Sequence, residues 1–508
     1  MTRSIMLQGT ASGVGKSVVA TGLCRLLREE GYRVAPFKAW NMSLNSYVTP
    51  SGGEVGRSQA VQARAAGIEI REEMQPLLIK PSGGGKTQVI VRGKPLGTFG
   101  SDRKKEDYVQ WAMGVIRESL GQLADEYQLL VMEGAGSPAE INIRDQDLAN
   151  MKVAMIKRTP VILVADMKAG GAFSYLMGTI KLFSSQERQL VRGIILNRFQ
   201  GALKELEPEI DMIEEKTGVP VLGVIPYLSH LKLPEEDSLS LSQQSKEGEL
   251  LRIGVIRLPH LSNFTDFDRL SEEAFVGLSY LGPEADLSLY DALILPGTKN
   301  TSSDLMYLWE EGLAEQLIHL AERGREIIGV CGGYQMLGSR LLDPQLTEGN
   351  QKVLPGLGLL PVETEFSPEK ATHRVRVRVK KSCGLWASLT GQELEGYEIH
   401  MGDSRLIDES QSLLEISSRS GSKLSLAEGA INRRGNVWGT YLHGLFDNKS
   451  LRHQLLNHLF LQRGMPALNE QDFGSCYDEE KSYQELAATL RSSLDLRLLD
   501  KILRESEF

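Results

Sequence analysis

The sequence predicts an α/β protein of two units, each organised on a parallel sheet, and three observations carry the prediction. Short apolar runs of strand length alternate with amphipathic helical stretches along most of the chain. At 508 residues the chain is longer than one hydrophobic core usually organises. A polar stretch without apolar periodicity, SLSLSQQSKEGE at 238–249, separates two such alternating series.

The first series opens with an apolar run at 4–8 that reads as a buried strand. A glycine loop follows, then a helix over 18–30 with Val19, Leu23, Leu26 and Leu27 on one face and Gly31 closing it. Further strands are expected at 129–133, 161–166 and 191–197 with helical stretches between them, which is the pattern of a parallel sheet. The second series begins at 252–257 and continues with strands at 292–295 and 327–330. It then reaches HRVRVRVKK, whose strict alternation predicts a strand with one wet face. The last forty or so residues read as amphipathic helix whose single apolar face serves packing.

Composition bounds the function. Hydrophobic residues make up 41% and charged residues 24%, which is a globular profile. The formal charge of -9 offers no global field for nucleic acid, though a local basic pocket for an acidic ligand is compatible with it. Cys24, Cys331, Cys383 and Cys476 are too few and too scattered for a disulfide framework and lack zinc spacing, which points to a reducing, cytoplasmic setting. Glycines interrupt the first apolar run too soon for a signal peptide, and no stretch of membrane-spanning length occurs, so no membrane partner is expected.

The segment GTASGVGKS at 9–17 follows a strand and opens a helix, the context a phosphate-binding loop requires. Backbone N–H groups around Thr10, Gly13 and Gly15 and the positive helix end would face the phosphates. Lys16 would neutralise the outer phosphates and Ser17 would ligate magnesium. The spacing departs from the plain pattern, because Thr10 stands where the first glycine is expected and Gly9 sits one residue early. The alternative is a ligandless glycine turn, which the Lys-Ser pair and its placement disfavour. Glu133, in MEGAGSPAEIN, and Asp166, in VILVADMKAGG, end two further strands at the edge where such sheets bind ligands. With Ser17 they form the expected magnesium set; each alone could be a strand-end cap.

In the second series, EIIGVCGGYQMLG puts Cys331 on a sharp strand-to-helix turn flanked by Gly329, Gly332 and Gly333. The helix N-terminus favours a thiolate, so Cys331 is the candidate nucleophile, whereas Cys24 and Cys383 have the unremarkable contexts of small hydrophobes. Of eight histidines, His443 in GTYLHGLF has the best context for a base. The N–H of Gly332 and a second donor from near Gly297, in ILPGTKNT, would form an oxyanion hole.

Taken together, QGTASGVGKS, APFKAWNMSLNSYVT, QPLLIKPSGGGKTQVIVRGK, MEGAGSPAEIN, GVCGGYQMLG, GYEIHMG and GTYLHGLF closely resemble the glutamine-hydrolysing adenosylcobyric acid synthases of cobalamin biosynthesis, from about residue 5 to about residue 446. The glutaminase motifs alone would specify only class I amidotransferases; PFKAWNMSLNS and EGAGSPAEIN are narrower. The resemblance implies a dethiobiotin-synthetase-like, ATP-dependent domain over 1–240, a class I glutamine amidotransferase domain over 252–450 and a C-terminal helical extension over 451–508. It further implies ATP and Mg2+ with no bound prosthetic group, and glutamine and adenosylcobyrinic acid a,c-diamide as substrates. The b, d, e and g carboxylates of that corrinoid would be amidated in turn; self-association as a homo-oligomer is left open. Lys38, Lys80, Lys86, Arg92 and Lys94 lie in segments that could line the corrinoid pocket.

Two departures from the family pattern stand out. Gly13 and Val14 replace an Asp-Ala pair before Gly-Lys-Ser, and Leu445 stands where many class I glutaminases carry a Glu two residues after the histidine. No third triad member is therefore assigned, Glu395 and Glu398 being the carboxylates considered. The nearest rival reading is the related cobyrinic acid a,c-diamide synthase, against which NMSLNS weighs. A partition-type regulatory ATPase would need a lysine where Ala11 stands, and a non-catalytic corrinoid carrier would have no use for Cys331 and His443.

Overall fold

The structure, a computed structural model, describes residues 2–81, 87–99, 105–140, 147–228, 231, 249–381, 383–408, 411–469, 471, 473 and 478–506. The polar stretch at 238–249 lies, all but Glu249, outside the described residues, as do Lys86 and Cys476. Among the described residues no helix is long and apolar enough to cross a membrane.

The first unit is a six-stranded sheet in the order Val221–Pro226, Val191–Phe199, Val161–Asp166, Arg3–Gly9, Leu129–Glu133, Val34–Phe37. Every pairing in it is parallel. Helices cover both faces, which is why these strands read as unbroken Ile, Leu and Val runs. The first strand lies between the strands that end at Glu133 and Asp166, so the loop after it opens at the switch in strand order, where such sheets bind ligands. The helix Lys16–Glu29 starts two residues before the predicted 18, because its polar first turn carries no apolar period. Gly15 caps it at φ 93°, and a Cβ there would lie 2.3 Å from the Asn197 amide nitrogen, so both conformation and space require glycine. A second sheet, Trp40–Met42, Leu77–Pro81, Thr87–Val91 and Lys94–Phe99, is built from segments too short or too polar to read as strands beforehand.

The second unit holds a twelve-stranded sheet. Its parallel part runs Val276–Leu281, Leu251–Ile256, Ala292–Leu295, Glu326–Val330 and Val437–Thr440. HRVRVRVKK falls mostly within Val362–Val379, a strand far longer than its alternating portion; residues 375–378 are paired antiparallel on both sides, while 363–365 pair parallel with Arg340–Leu342. Val375, Val377 and Val379 are buried while Arg376 and Arg378 face water.

The chain's end divides its packing between the two units. Lys449–Gln462 buries Leu451, Leu455 and Leu459 in the second core. Glu479–Ser493 and Leu496–Arg504 cross back to the first, where Tyr483, Leu490 and Ile502 join the core beneath the helix Lys16–Glu29. That helix accepts them through Gly22, where a Cβ would lie 2.5 Å from a Leu490 methyl. Glu479 is salt-bridged to Arg64 of the first unit at 3.0 Å and to Arg269 of the second at 2.9 Å. Leu490→Ala is expected to cost about 2–4 kcal/mol, read as a lowered midpoint in urea unfolding.

Candidate active sites

At the first site, Ser17 Oγ donates to Glu133 Oε1 at 2.7 Å, and the same carboxylate is paired with Lys38 at 3.2 Å and accepts from Gln62 at 2.7 Å. Glu133 and Lys38 are almost wholly buried. Lys16 Nζ reaches over the loop to the carbonyls of Ala11 and Gly136, at 3.3 and 3.0 Å. Gly13 and Gly15 both have positive φ, an arrangement that turns backbone N–H groups inward. Thr10 N is held by Val164 O at 3.0 Å, so Thr10 serves to fix the loop's start against the neighbouring strand. Asp166 stands on the other side of the loop: it pairs with Arg198 at 2.9 Å, and Arg198 also bonds Gly13 O at 2.8 Å. Of the expected magnesium set, Ser17 and Glu133 are thus in direct contact, and Asp166 meets the loop through Arg198.

The fit of these groups to a nucleotide's magnesium ion rests on their chemistry: a hydroxyl and a carboxylate are hard oxygen donors, beside a lysine and a run of inward N–H groups suited to phosphate. Among the described residues no group of three or more His, Cys, Asp or Glu side chains could hold a metal ion unaided. Magnesium that keeps waters and shares phosphate oxygens needs only one or two protein donors.

At the second site Cys331 occupies a strained turn, φ 53° and ψ -110°, between the strand Glu326–Val330 and the helix Gly332–Leu337. Gly333 makes the turn feasible, since a Cβ there would fall 1.9 Å from Leu295 O. The sulfur is nearly buried and hydrogen-bonds Ile399 O at 3.4 Å. Cys24, by contrast, is fully buried in the first core and its thiol is pushed well above its ordinary value. His443 lines the same pocket as Cys331. A Cβ on Gly297 would lie 3.1 Å from His443 Cε1, and one on Gly332 would lie 3.2 Å from Thr298 N. The loop carrying Gly297 therefore borders both His443 and Gly332.

The partner that orients His443 is a residue the sequence did not single out. Asp266 Oδ2 lies 2.6 Å from His443 Nδ1, and its other oxygen accepts from Gly444 N at 2.9 Å. Glu395 and Glu398 are committed elsewhere, to Arg376 and Arg419. Asp266 comes from the turn Phe264–Phe267, beyond the carboxyl end of the strand Leu251–Ile256. A carboxylate in a polar loop after a parallel strand, SNFTDFD, was the available signal; attention to the position after the histidine missed it. Burial pushes the His443 imidazole down, but Asp266 and Cys331 outweigh it and raise it from 6.5 to about 10. The folded value is raised, so this contribution to stability is full below about 6.5 and is lost as pH climbs through about 10. Asp266→Asn removes one of the two raising partners. We expect the alkaline limb of glutamine hydrolysis to move toward neutrality and the rate at pH 8 to fall on the order of 10²-fold, read from a kcat/KM profile against pH.

The first unit contributes Lys80 to the wall of the Cys331 pocket. Lys80 and Lys370, one from each unit, both line it, and both pair with the fully buried Glu54, Lys80 at 2.6 Å. Burial, with Lys80 and Lys299 nearby, pulls the Lys370 ammonium down to about 7 against the opposing pull of Glu54. Of the other cations expected near an acidic ligand, Lys38 is the Glu133 partner, Arg92 pairs with Glu118 at 3.0 Å and Lys94 is exposed.

Two family models match the chain: a CobQ/CobB/MinD/ParA nucleotide binding domain over residues 5–241, and a CobB/CobQ-like glutamine amidotransferase domain over residues 252–451. Along its whole length the chain is similar to curated cobyric acid synthases. It is 44% identical to that of Desulforamulus reducens over 505 residues, covering 99% of this chain and 98% of the relative. It is 46% identical to that of Moorella thermoacetica over 507 residues, with 99% and 98% covered. To that of Desulfitobacterium hafniense it is 46% identical over 500 residues, with 97% and 96% covered.

Proposed function

The chain belongs to the cobyric acid synthase family of glutamine-dependent, amide-forming ligases, and from that premise we propose that it amidates the b, d, e and g carboxylates of adenosylcobyrinic acid a,c-diamide to give adenosylcobyric acid. Nitrogen comes from glutamine at Cys331 and activation from ATP at the phosphate loop. The observation that carries the reading is the pairing in one chain of a Cys331–His443–Asp266 constellation with a Lys16–Ser17–Glu133 phosphate site, the pocket of the first being walled in part by Lys80 of the unit that holds the second.

The Cys331 sulfur attacks the side-chain carbonyl carbon of glutamine, and the N–H of Gly332 with a donor from the Gly297 loop stabilises the oxyanion. Imidazolium His443, held in orientation by Asp266, gives its proton to the departing nitrogen, and ammonia leaves. Water, deprotonated by His443, then attacks the thioester, releasing glutamate and restoring the thiol. At the other site a corrinoid carboxylate oxygen attacks the terminal phosphorus of ATP and ADP departs, leaving an acyl phosphate. Lys16 and the loop N–H groups hold the phosphate charge through that transfer, and Ser17 with Glu133 would hold magnesium, which supplies further charge neutralisation. Ammonia attacks the acyl carbon and inorganic phosphate leaves, forming the amide. A carboxylate alone is a poor electrophile, so the two half-reactions need each other.

The test incubates the protein with ATP, magnesium and glutamine and either the a,c-diamide or cobyrinic acid itself. Mass spectrometry of the diamide product should show successive losses of one mass unit as each hydroxyl becomes an amino group. Amidation of cobyrinic acid with the diamide untouched would assign the chain to the a,c-diamide reaction instead.

A further inference from the structure

The segment 38–46, KAWNMSLNS, touches the machinery of both sites. At its start Lys38 is paired with Glu133, the carboxylate that accepts from Ser17. At its end it meets the turn that carries Asp266 in three places: Ser46 N donates to Asn263 Oδ1 at 3.1 Å, Thr265 Oγ1 donates to Asn45 Oδ1 at 3.0 Å, and Asn263 N reaches Leu44 O at 3.4 Å. A second support of His443 is fastened to the same place, for Tyr397 stacks on the imidazole at 5.3 Å between ring centroids and donates its hydroxyl to Ser46 O at 3.3 Å. Between these ends the segment is stiff. Trp40–Met42 is a strand in register with Leu77–Ile79, and Ser43 N bonds Ile79 O at 3.1 Å. Asn41, Ser43, Asn45 and Ser46 are all buried. Nine residues span at most about 30 Å, so the two sites are joined by one short, hydrogen-bonded piece of chain whose polar side chains are buried while Met42 faces outward.

We propose that segment 38–46 makes glutamine hydrolysis answer to the state of the phosphate site, with Thr265 and Tyr397 acting as positioning residues that pass its placement to Asp266 and His443. This rests on the reading of the second site as a glutaminase. Glu133 is the shared element: the carboxylate that with Ser17 suits a nucleotide's magnesium also anchors Lys38, so binding there changes what Lys38 pairs with. Because the segment is packed and paired, a change at Lys38 is carried along it rather than absorbed, and its far end holds two of the groups that orient the imidazole, Asp266 through its turn and Tyr397 through Ser46. The benefit is chemical economy: glutamine is opened when an acceptor is ready, and ammonia is not lost as ammonium.

The full-length protein tests this with a readout independent of turnover. The rate at which 6-diazo-5-oxonorleucine, an electrophilic glutamine analogue, labels Cys331 is followed by intact mass, with and without ATP, magnesium and the a,c-diamide. Labelling of the wild type should accelerate several-fold when the phosphate site is engaged. Thr265→Val, isosteric but without the hydroxyl, should bring that ratio close to one, Thr265→Ser should restore it, and Tyr397→Phe, which keeps the ring but drops the bond to Ser46, should lower it. Amidation driven by ammonium salts, measured alongside, reports on the functional reading itself and should persist in all three variants. A wild-type ratio of one, or a wild-type ratio retained in both Thr265→Val and Tyr397→Phe, overturns the coupling whatever the ammonium assay gives.

Discussion

Cys331→Ser is expected to abolish glutamine-dependent amidation, by at least about four orders of magnitude, and to leave ammonium-driven amidation at its wild-type rate. The asymmetry follows from the division of labour. Serine keeps the volume and the strained turn, so the fold and the phosphate site are untouched, but a hydroxyl is a far weaker nucleophile than a cysteine sulfur beside His443. His443 is charged to about pH 10 largely because Asp266 and Cys331 favour it. With a neutral hydroxyl in place of the sulfur, that charge loses one partner and the thioester route closes. Ammonia supplied from solution bypasses the route entirely. Parallel assays with glutamine and with ammonium chloride at alkaline pH check the result.

Lys16→Ala is expected to fail with either nitrogen source, amidation falling on the order of 10³-fold. Lys16 is the cation poised over the loop, its ammonium resting on the carbonyls of Ala11 and Gly136. Those are weak acceptors that a phosphate oxygen readily replaces. Without it the charge that builds as the terminal phosphoryl group transfers meets only backbone dipoles, and no acyl phosphate forms for ammonia from any source to attack. Single-turnover release of phosphate, with glutamine and then with ammonium, measures the loss. The pair of variants separates the two half-reactions: one loses a nitrogen source, the other loses the electrophile.

The parallel strands were legible because burial on both faces writes itself as unbroken apolar runs. The strands at 129–133, 161–166 and 292–295 were read at their observed bounds. Glycine punctuation marked Cys331 and Lys16 for the same local reason, since a sharp turn into a helix needs residues without a Cβ. Asp266 was legible only as a carboxylate in a polar loop after a strand; its role is fixed by a contact with His443 across 177 positions of sequence, and no local rule encodes that pairing. The trio Glu54, Lys80 and Lys370 was hidden likewise: Lys80 was expected only in a corrinoid pocket, and Glu54 and Lys370 look like ordinary surface charges until two sheets and a long strand bring the three together. The final helices read correctly as packing, but their crossing to the first unit is a property of the assembled cores and not of the apolar face that drives it.

Passage of nitrogen from Cys331 to the phosphate site is the central step of the proposed reaction, and one measurement addresses it. Adenosylcobyrinic acid a,c-diamide is converted with ATP, magnesium and glutamine labelled with nitrogen-15 in its amide, in the presence of unlabelled ammonium, and the product is weighed against that from unlabelled glutamine. The product is expected to be heavier by one mass unit for every amide formed. An unlabelled amide, or a corrinoid that emerges unchanged, would contradict that step.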